Sequence, residues 1–330
     1  MIKRVLKDIK INYKYYLICI ILLVVTFVRL DYYIYSPGSL IDLTDRIEVD
    51  NSYHSDGSFN LTYVSSRDGT LLNVLLSYII PSWDLESVDD SRIEDEDPSE
   101  IELRNKIYLK ETSFDAIIAA FNEAGLSYKV DKIDLTVAYV FNLSNTNLKA
   151  GDIIKGINGN NVNSFDDYSR EISKYKEGEK ITINVLRNNK SIDCYSVLQK
   201  EEDRIIIGVS LAELKSVTTN PKVEYVFKDN ESGSSRGLMC ALDIYNKITD
   251  YDLTKGRIIS GTGVIDEKGK VGAIDGVKYK LIGAVKKKAD VFIVPNDNYD
   301  EAVKVKNENK YDIKIIKADN LHDVIEELKK

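Results

Sequence analysis

The chain has 330 residues, 43% of them hydrophobic, and a formal net charge of −8. That length accommodates two or three domains with packed cores. The acidic balance, with no basic stripe and interleaved aromatics outside the N-terminus, argues against nucleic acid as a partner. Three cysteines (Cys19, Cys194, Cys240) without CxxC spacing give neither a zinc site nor a disulfide framework, and no metal or cofactor is expected. The only histidines, His54 and His322, leave a Ser-His-Asp triad almost nothing to draw on.

The first segment, residues 1–14, is basic: Lys3, Arg4, Lys7, Lys10 and Lys14 stand against Asp8. Residues 15–35 follow as a predicted transmembrane anchor. The run Tyr15 to Val28 carries no charge, and tyrosines flank it at 13, 15 and 16 and again at 32, 33 and 35. A basic flank, an apolar span and aromatic belts predict an N-terminus in the cytoplasm and everything after Tyr35 outside the cell membrane. The uncharged run is shorter than the ~20 residues of a usual span, which snorkelling of Lys14 and Arg29 can make up. A cleaved signal peptide is the rival reading, but RLDYYIYSPG, which follows, offers no small-x-small site.

Residues 36–125 form an exterior region that contributes strands and a helix. Ile47 to Val49 and Phe59 to Val64 are β-type runs. The acidic stretch Asp84 to Glu102 lacks EF-hand spacing and reads as a solvated loop or helix face. TSFDAIIAAFNEAG predicts a helix with Thr112 or Ser113 as N-cap and Gly125 just past its end.

Residues 126–200 predict a small β-sandwich with one lateral helix: a strand at Leu135 to Val140, another at Ile153 to Ile157, a helix at Ser164 to Tyr175, and a hairpin turning at Asn188-Asn189. Here LKAGDIIKGINGNNVNSFDDYSREI resembles the core of a PDZ domain, L-x-x-G-D-x-I-x-x-I-[ND]-G followed by a helix. The resemblance implies that extended peptide adds to a sheet edge, which by position is Val137, Ala138, Tyr139 and Val140. KIDLT stands where the family carries a glycine-rich carboxylate loop.

From residue 201 to 330 strands and helices alternate, predicting an α/β domain. IIIGVSL and KVEYVF read as its first strands, and GRIISGTGVIDEKGKVGAID as a hairpin. Within NESGSSRGLMCALDIYN, Gly233 and Gly237 allow a sharp turn and close approach, and Leu238, Ala241, Leu242 and Tyr245 line one face of a following helix. Ser235 then sits at the positive end of that helix. It is either a nucleophile whose oxyanion the free N–H groups can hold, or an ordinary N-cap. A nucleophilic serine needs a base, and without histidine the base is lysine. The helix VKYKLIGAVKKKA offers Lys278 and Lys280, and periodicity does not choose between them.

GSSRG, SGTG, GKVGAIDGVKYK and DVFIVP together resemble the proteolytic domain of Lon-type proteases, with its G-P-S-A-G, T-G and P-I-G-G-x-x-x-K segments and a strand ending in Pro. The resemblance implies Ser235 as nucleophile, Lys280 as base and Thr262 as the group that orients the lysine. Ser234 and Arg236 replace the family's Pro and Ala, and Asp275 replaces the first glycine of the G-G pair. Arg236 is expected beside the dyad, where its charge can depress the lysine pKa, and Asp275 is expected to favour protonated lysine. No Walker A motif occurs, so no nucleotide is expected.

The fold class is therefore α+β and multidomain: an N-terminal transmembrane helix, a PDZ-like β-sandwich and a Lon-type α/β proteolytic domain. This order resembles the membrane-anchored, PDZ-containing Lon-like serine proteases of Gram-positive bacteria. It implies a PDZ-like module that interrupts or abuts the protease's upstream region, and an ATP-independent endopeptidase acting on peptides or unfolded segments. The alternative is a catalytically weak relative that binds peptide at the cell surface.

Overall fold

The computed structural model describes residues 2–90, 92–94, 96–228 and 233–330, with side chains from Ile9 onward. The side chains of Lys3, Arg4, Lys7 and Asp8, and residues 230–232 of the glycine-serine loop, lie outside the described residues. Ile2–Phe27 form helix α1, bent at Asn12 (φ −104°, ψ 17°). Its part Ile9–Phe27 has a mean hydropathy of 1.6, is apolar and long enough for a membrane span or a signal sequence, and buries nothing against the rest of the chain.

The apolar helix, expected as an anchor reaching Tyr35, ends at Phe27. Arg29–Asp42 form strand β1, in which Ile34 is fully buried and Tyr33 and Tyr35 half-buried. The outer tyrosines belong to a sheet because β1 finds partners on both sides. It pairs antiparallel with β2, Ser58–Thr70, and with β3, Asp84–Ser87. Between β2 and β3 lies the short helix α2, Leu71–Ser77, capped by Thr70 Oγ1 on the N–H of Asn73.

Helix α3, Pro98–Glu123, is longer than predicted. Its N-cap is Asp97, not Thr112 or Ser113. The Asp97 carboxylate accepts from the N–H groups of Ser99 and Glu100 while Glu100 returns a bond to the Asp97 N–H, and Pro98 costs nothing in the first turn. A complete capping box within the acidic stretch outcompetes a hydroxyl cap further along. Thr112 and Ser113 are instead buried in mid-helix. Glu96, in the same stretch, is buried and paired with Arg104 at 2.6 Å.

The PDZ-like module follows: β4 (Tyr128–Val140), β5 (Ile153–Ile157), α4 (Phe165–Ile172), β6 (Lys180–Arg187), β7 (Lys190–Val197) and β8 (Val209–Thr219). Its strands run in the order β8-β4-β5-β6-β7 around a core of Leu135, Val137, Ile157, Ile183 and Val185, closed by Tyr168 and Ile172 of α4. IIIGVSL thus ends in this sheet and not in the C-terminal domain: β8 pairs with β4 from Val209↔Val140 to Thr219↔Tyr128. The module runs past residue 200 to Thr219. On the other face of β4, Ala138 and Ala212 pack on Ile107 of α3, small side chains that let the helix lie close to the sheet.

After a 3-10 turn at Ser234–Arg236 come α5 (Gly237–Ile248), β9 (Ile258–Gly261), a small hairpin of Val264–Ile265 and Val271–Gly272, α6 (Val277–Lys286), β10 (Val291–Pro295), α7 (Tyr299–Asn309), β11 (Lys314–Ala318) and α8 (Leu321–Lys329). The region expected as one hairpin splits, because β9 pairs in parallel with β2 and β10. The resulting sheet runs β11-β10-β9-β2-β1-β3. It is covered on both faces, as parallel strands require. Val291 and Ile293 face the core of α3, α5 and α8, whereas Phe292 and Val294 face α6 and α7. Each such fully buried side chain contributes roughly 1.5–3 kcal/mol of transfer free energy.

Residues 36–125 and 201–330 therefore do not form separate units. β1 and β2 complete the C-terminal sheet, and KVEYVF supplies a strand, Val223–Tyr225, that pairs with Ile47–Val49. The PDZ-like module is an insertion between α3 and that strand.

Candidate functional site

The turn before α5 is pinned by backbone bonds. Gly233 has φ 130°, a conformation that favours glycine. The N–H of Gly237 bonds Ser234 O, Leu238 N–H bonds Gly263 O at 3.0 Å, and Gly263 N–H bonds Ser235 O at 2.8 Å. A Cβ at Gly237 would come within 2.3 Å of Thr112 Oγ1, so only glycine lets α3 pass this close. The N-cap position of α5 is Arg236, with no side-chain cap bond, which removes the N-cap reading of Ser235.

Thr262 follows β9 directly, its N–H held by Ile293 O at 3.0 Å. Its Oγ1 donates to Ser235 O at 3.1 Å and accepts from Lys280 Nζ at 3.1 Å. Lys280 Nζ also donates to Ser235 Oγ at 3.1 Å. Nucleophile candidate, lysine and threonine thus meet at one point, carried by a turn, a strand end and α6. Lys280 is 5% exposed, and burial lowers its pKa to about 8, with Asp275 pulling the other way.

The structure distinguishes the two lysines and the two serines. Lys278 faces β3, where Nζ pairs with Asp84 at 2.6 Å. Ser234 borders a different cavity of about 540 Å³, shared with Tyr108, Glu111 and Lys270. Ser235 and Lys280 line a cavity of about 580 Å³ together with Leu40, Leu61, Tyr63, Val64 and Arg236. Most of that wall comes from β1 and β2.

Arg236 differs from expectation. Its guanidinium turns away from the lysine, stacking 3.8 Å from the Phe227 ring centroid and donating from Nη2 to Ser113 Oγ at 2.9 Å. The lowered pKa of Lys280 is thus a desolvation effect and not the work of that cation. Thr112 Oγ1 donates to Ser234 O at 3.3 Å, so both neighbours of Ser235 are tied to one turn of α3. Sequence reasoning took Thr112 and Ser113 for a helix start and missed this role, since no local pattern reports a contact across more than a hundred residues.

The predicted peptide-docking edge at Val137, Ala138, Tyr139 and Val140 is not an edge. On one side Val140, Tyr139 and Val137 pair with Val209, Ser210 and Leu211 of β8. On the other, the Val137 N–H and C=O bond Asp152 O and Gly151 N at 2.8 Å each. Strand addition needs free backbone groups; those of Val137 are used on both sides, and Tyr139 and Val140 are paired with β8. The outermost strand is β8, and α3 lies along it: Glu111 Oε1 accepts from the Glu213 N–H at 2.8 Å and Lys215 pairs with Asp115 at 2.9 Å.

Residues 226–330, the segment holding Ser235, Thr262 and Lys280, match the Lon protease (S16) C-terminal proteolytic domain. The chain carries a Lon-type proteolytic domain. Residues 125–194 match the PDZ domain. The Lon protease of Campylobacter concisus is 36% identical over 96 residues, which cover 29% of this chain and 12% of that protein, so the chain spans only a small part of that relative's length. Among solved structures, the PDZ domain of the SdrC-like protein from Listeria monocytogenes is 26% identical, covering 23% of this chain and 85% of its own, with a TM-score of 0.22. A solution structure from Geobacillus thermodenitrificans is 22% identical, covering 23% and 94%, also with a TM-score of 0.22. The PDZ-like module lies between two stretches of chain that share one sheet, the second of which carries the Lon-type match.

Proposed function

We propose that this chain is a membrane-anchored serine endopeptidase that works without ATP, with Ser235 as nucleophile and Lys280 as base. The observation that carries this reading is the buried Lys280 amine at 3.1 Å from both Ser235 Oγ and Thr262 Oγ1. A lysine near pKa 8 is partly neutral at neutral pH, as a general base must be. Neutral Lys280 takes the Ser235 proton as Oγ attacks a peptide carbonyl. The ammonium then protonates the leaving amine, and water, activated by the amine, hydrolyses the acyl-enzyme. The N–H groups of Gly237 and Leu238 are occupied, so we assign the oxyanion to the N–H of Ser235 and the turn before it. Thr262 orients the lysine and, through Ser235 O, the turn. The chain contains no Walker A motif, which favours peptides or unfolded segments as substrates over folded proteins.

α1 supplies the anchor in this reading, with its basic flank in the cytoplasm and the folded part outside. The rival is an inactive peptide-binding protein; against its expected docking strand, Val137 is paired on both sides and Tyr139 and Val140 are paired with β8. The deciding experiment is casein or fluorogenic-peptide hydrolysis without ATP by wild type, Ser235→Ala and Lys280→Ala. Each substitution is expected to lower kcat by a factor on the order of 10³ or more, and equal turnover by wild type and Ser235→Ala refutes the assignment. For topology, external protease added to intact cells is expected to remove the C-terminal domain; full protection overturns the exterior placement.

A further inference from the structure

Helix α2 breaks the ordinary rule for short helices on a globular domain. It contains Leu71, Leu72, Val74, Leu75 and Leu76, yet none of its residues is buried. The chain continues through Tyr78, Ile79, Ile80 and Trp83, and no charged residue occurs between Leu71 and Trp83. Tyr78 is 79% exposed, Ile79 74% and Leu75 52%. An apolar face of this kind is expensive in water and marks a surface that something covers.

Its position says what covers it. Leu71 N–H bonds Val28 O at 3.2 Å, so α2 begins at the residue that follows the apolar helix α1. Arg29 opposes Thr70 across β1 and β2, and the Val88 N–H bonds Asp31 O, which brings the ends of β1, β2 and β3 to the same end of the sheet. Leu30 and Tyr32, at the start of β1, are exposed there as well. The rim carries the residues that suit a headgroup layer: Arg67 lies 5.2 Å from the Trp83 ring centroid, and Arg29 pairs with Asp68 at 2.8 Å. α2 is far too short to span a bilayer, but a helix lying in the interface needs only one apolar face and aromatic neighbours.

We propose that α2 and the segment through Trp83 dock on the lipid bilayer beside α1, so that the proteolytic unit lies against the membrane in a fixed orientation and does not swing on a tether. No linker separates the span from the sheet: α1 ends at Phe27 and β1 begins at Arg29. β1 itself runs from the membrane end to Leu40 in the wall of the Ser235 cavity, about 11 residues at ~3.3 Å each, so docking sets that cavity within about 40 Å of the bilayer. This inference rests on α1 being a membrane anchor.

Trp83 is the only tryptophan in the chain and reports the docking directly. The full-length protein is reconstituted in phosphatidylcholine–phosphatidylglycerol vesicles whose acyl chains are brominated near the headgroup end. Flotation with the vesicles after alkaline wash reads the anchor. Loss of Trp83 emission relative to unbrominated vesicles reads the docking. Strong quenching is expected for wild type, and most of it is expected to disappear in Leu75→Asp/Ile79→Asp, whose peptide hydrolysis in detergent remains at wild-type level. Flotation without quenching of wild type overturns the docking and leaves the anchor standing. Failure to float overturns the anchor and the docking with it. Quenching unchanged in the double variant overturns the assignment of the patch.

Discussion

Arg236 donates a hydrogen bond to Ser113 at 2.9 Å, tying the residue next to Ser235 to the middle of a helix 123 positions upstream. The bond is charge-assisted and buried, and the guanidinium plane is sandwiched against Phe227. Such a contact is worth about 1.5–3 kcal/mol, enough to hold a turn in one conformation. Arg236→Ala is expected to lower kcat roughly 10-fold with little change in KM, because it loosens the placement of Ser235. Arg236→Lys is expected not to rescue it, since an ammonium cannot both stack and fork. A rise in KM at constant kcat would instead make Arg236 a substrate contact.

The pH dependence follows from Lys280. The base must be neutral, so kcat/KM is expected to rise with pH through about 8. Asp275 holds the proton on the lysine, and Asp275→Asn is expected to move the profile roughly half a unit towards lower pH. A profile that stays in place shows that Asp275 is screened by solvent.

The same burial costs stability. The folded pKa of about 8 lies below the unfolded value near ~10.4, so between those values the unfolded chain binds more protons and stability rises with pH. Below pH 8 the destabilisation is constant, about 3 kcal/mol. Lys280→Met is therefore expected to raise the urea midpoint at pH 7 while abolishing hydrolysis, with the gain shrinking as pH rises above about 8 and gone above about 10.4. A destabilised Lys280→Met at pH 7 contradicts the desolvation argument.

Glu111 is a second titrating group, half-buried and raised to about 7 by that burial and by neighbouring carboxylates, while it accepts from the Glu213 N–H. Its folded pKa lies above the unfolded one. The folded chain thus holds the extra proton between about 4.5 and 7, and stability falls as pH rises through that window. Glu111→Gln keeps an acceptor for Glu213 and removes the charge, so it is expected to stabilise by about 1–2 kcal/mol at pH 8 and by nothing at pH 4. Chemical denaturation at the two pH values checks this.

The pairing of Val137 on both sides, and of Tyr139 and Val140 with β8, predicts slow amide exchange. In the protein without added peptide, amides 137–140 are expected to be protected like those of the β6–β7 hairpin, and C-terminal peptides are expected to leave them unchanged. Fast exchange that slows on adding peptide would restore that strand as a docking site.

By itself the sequence determined the local features: the apolar N-terminal helix, the L-x-x-G-D-x-I and helix pattern, the glycine-serine turn, and the buried strand DVFIVP. These depend on composition, period and turn chemistry within a few residues of each other. It also left Lys278 and Lys280 as the candidate bases, two lysines close together on one helix. Only the tertiary structure separates them: Lys278 pairs with Asp84, and Lys280 donates to Ser235 and Thr262. It likewise decided that β1 and β2 belong to the proteolytic sheet, that β8 covers β4, and that Thr112 and Ser113 hold the turn around Ser235. Those are pairings of backbone groups and side chains far apart in the chain, settled by which partner leaves fewest buried polar groups unsatisfied, and no window of the sequence contains both members.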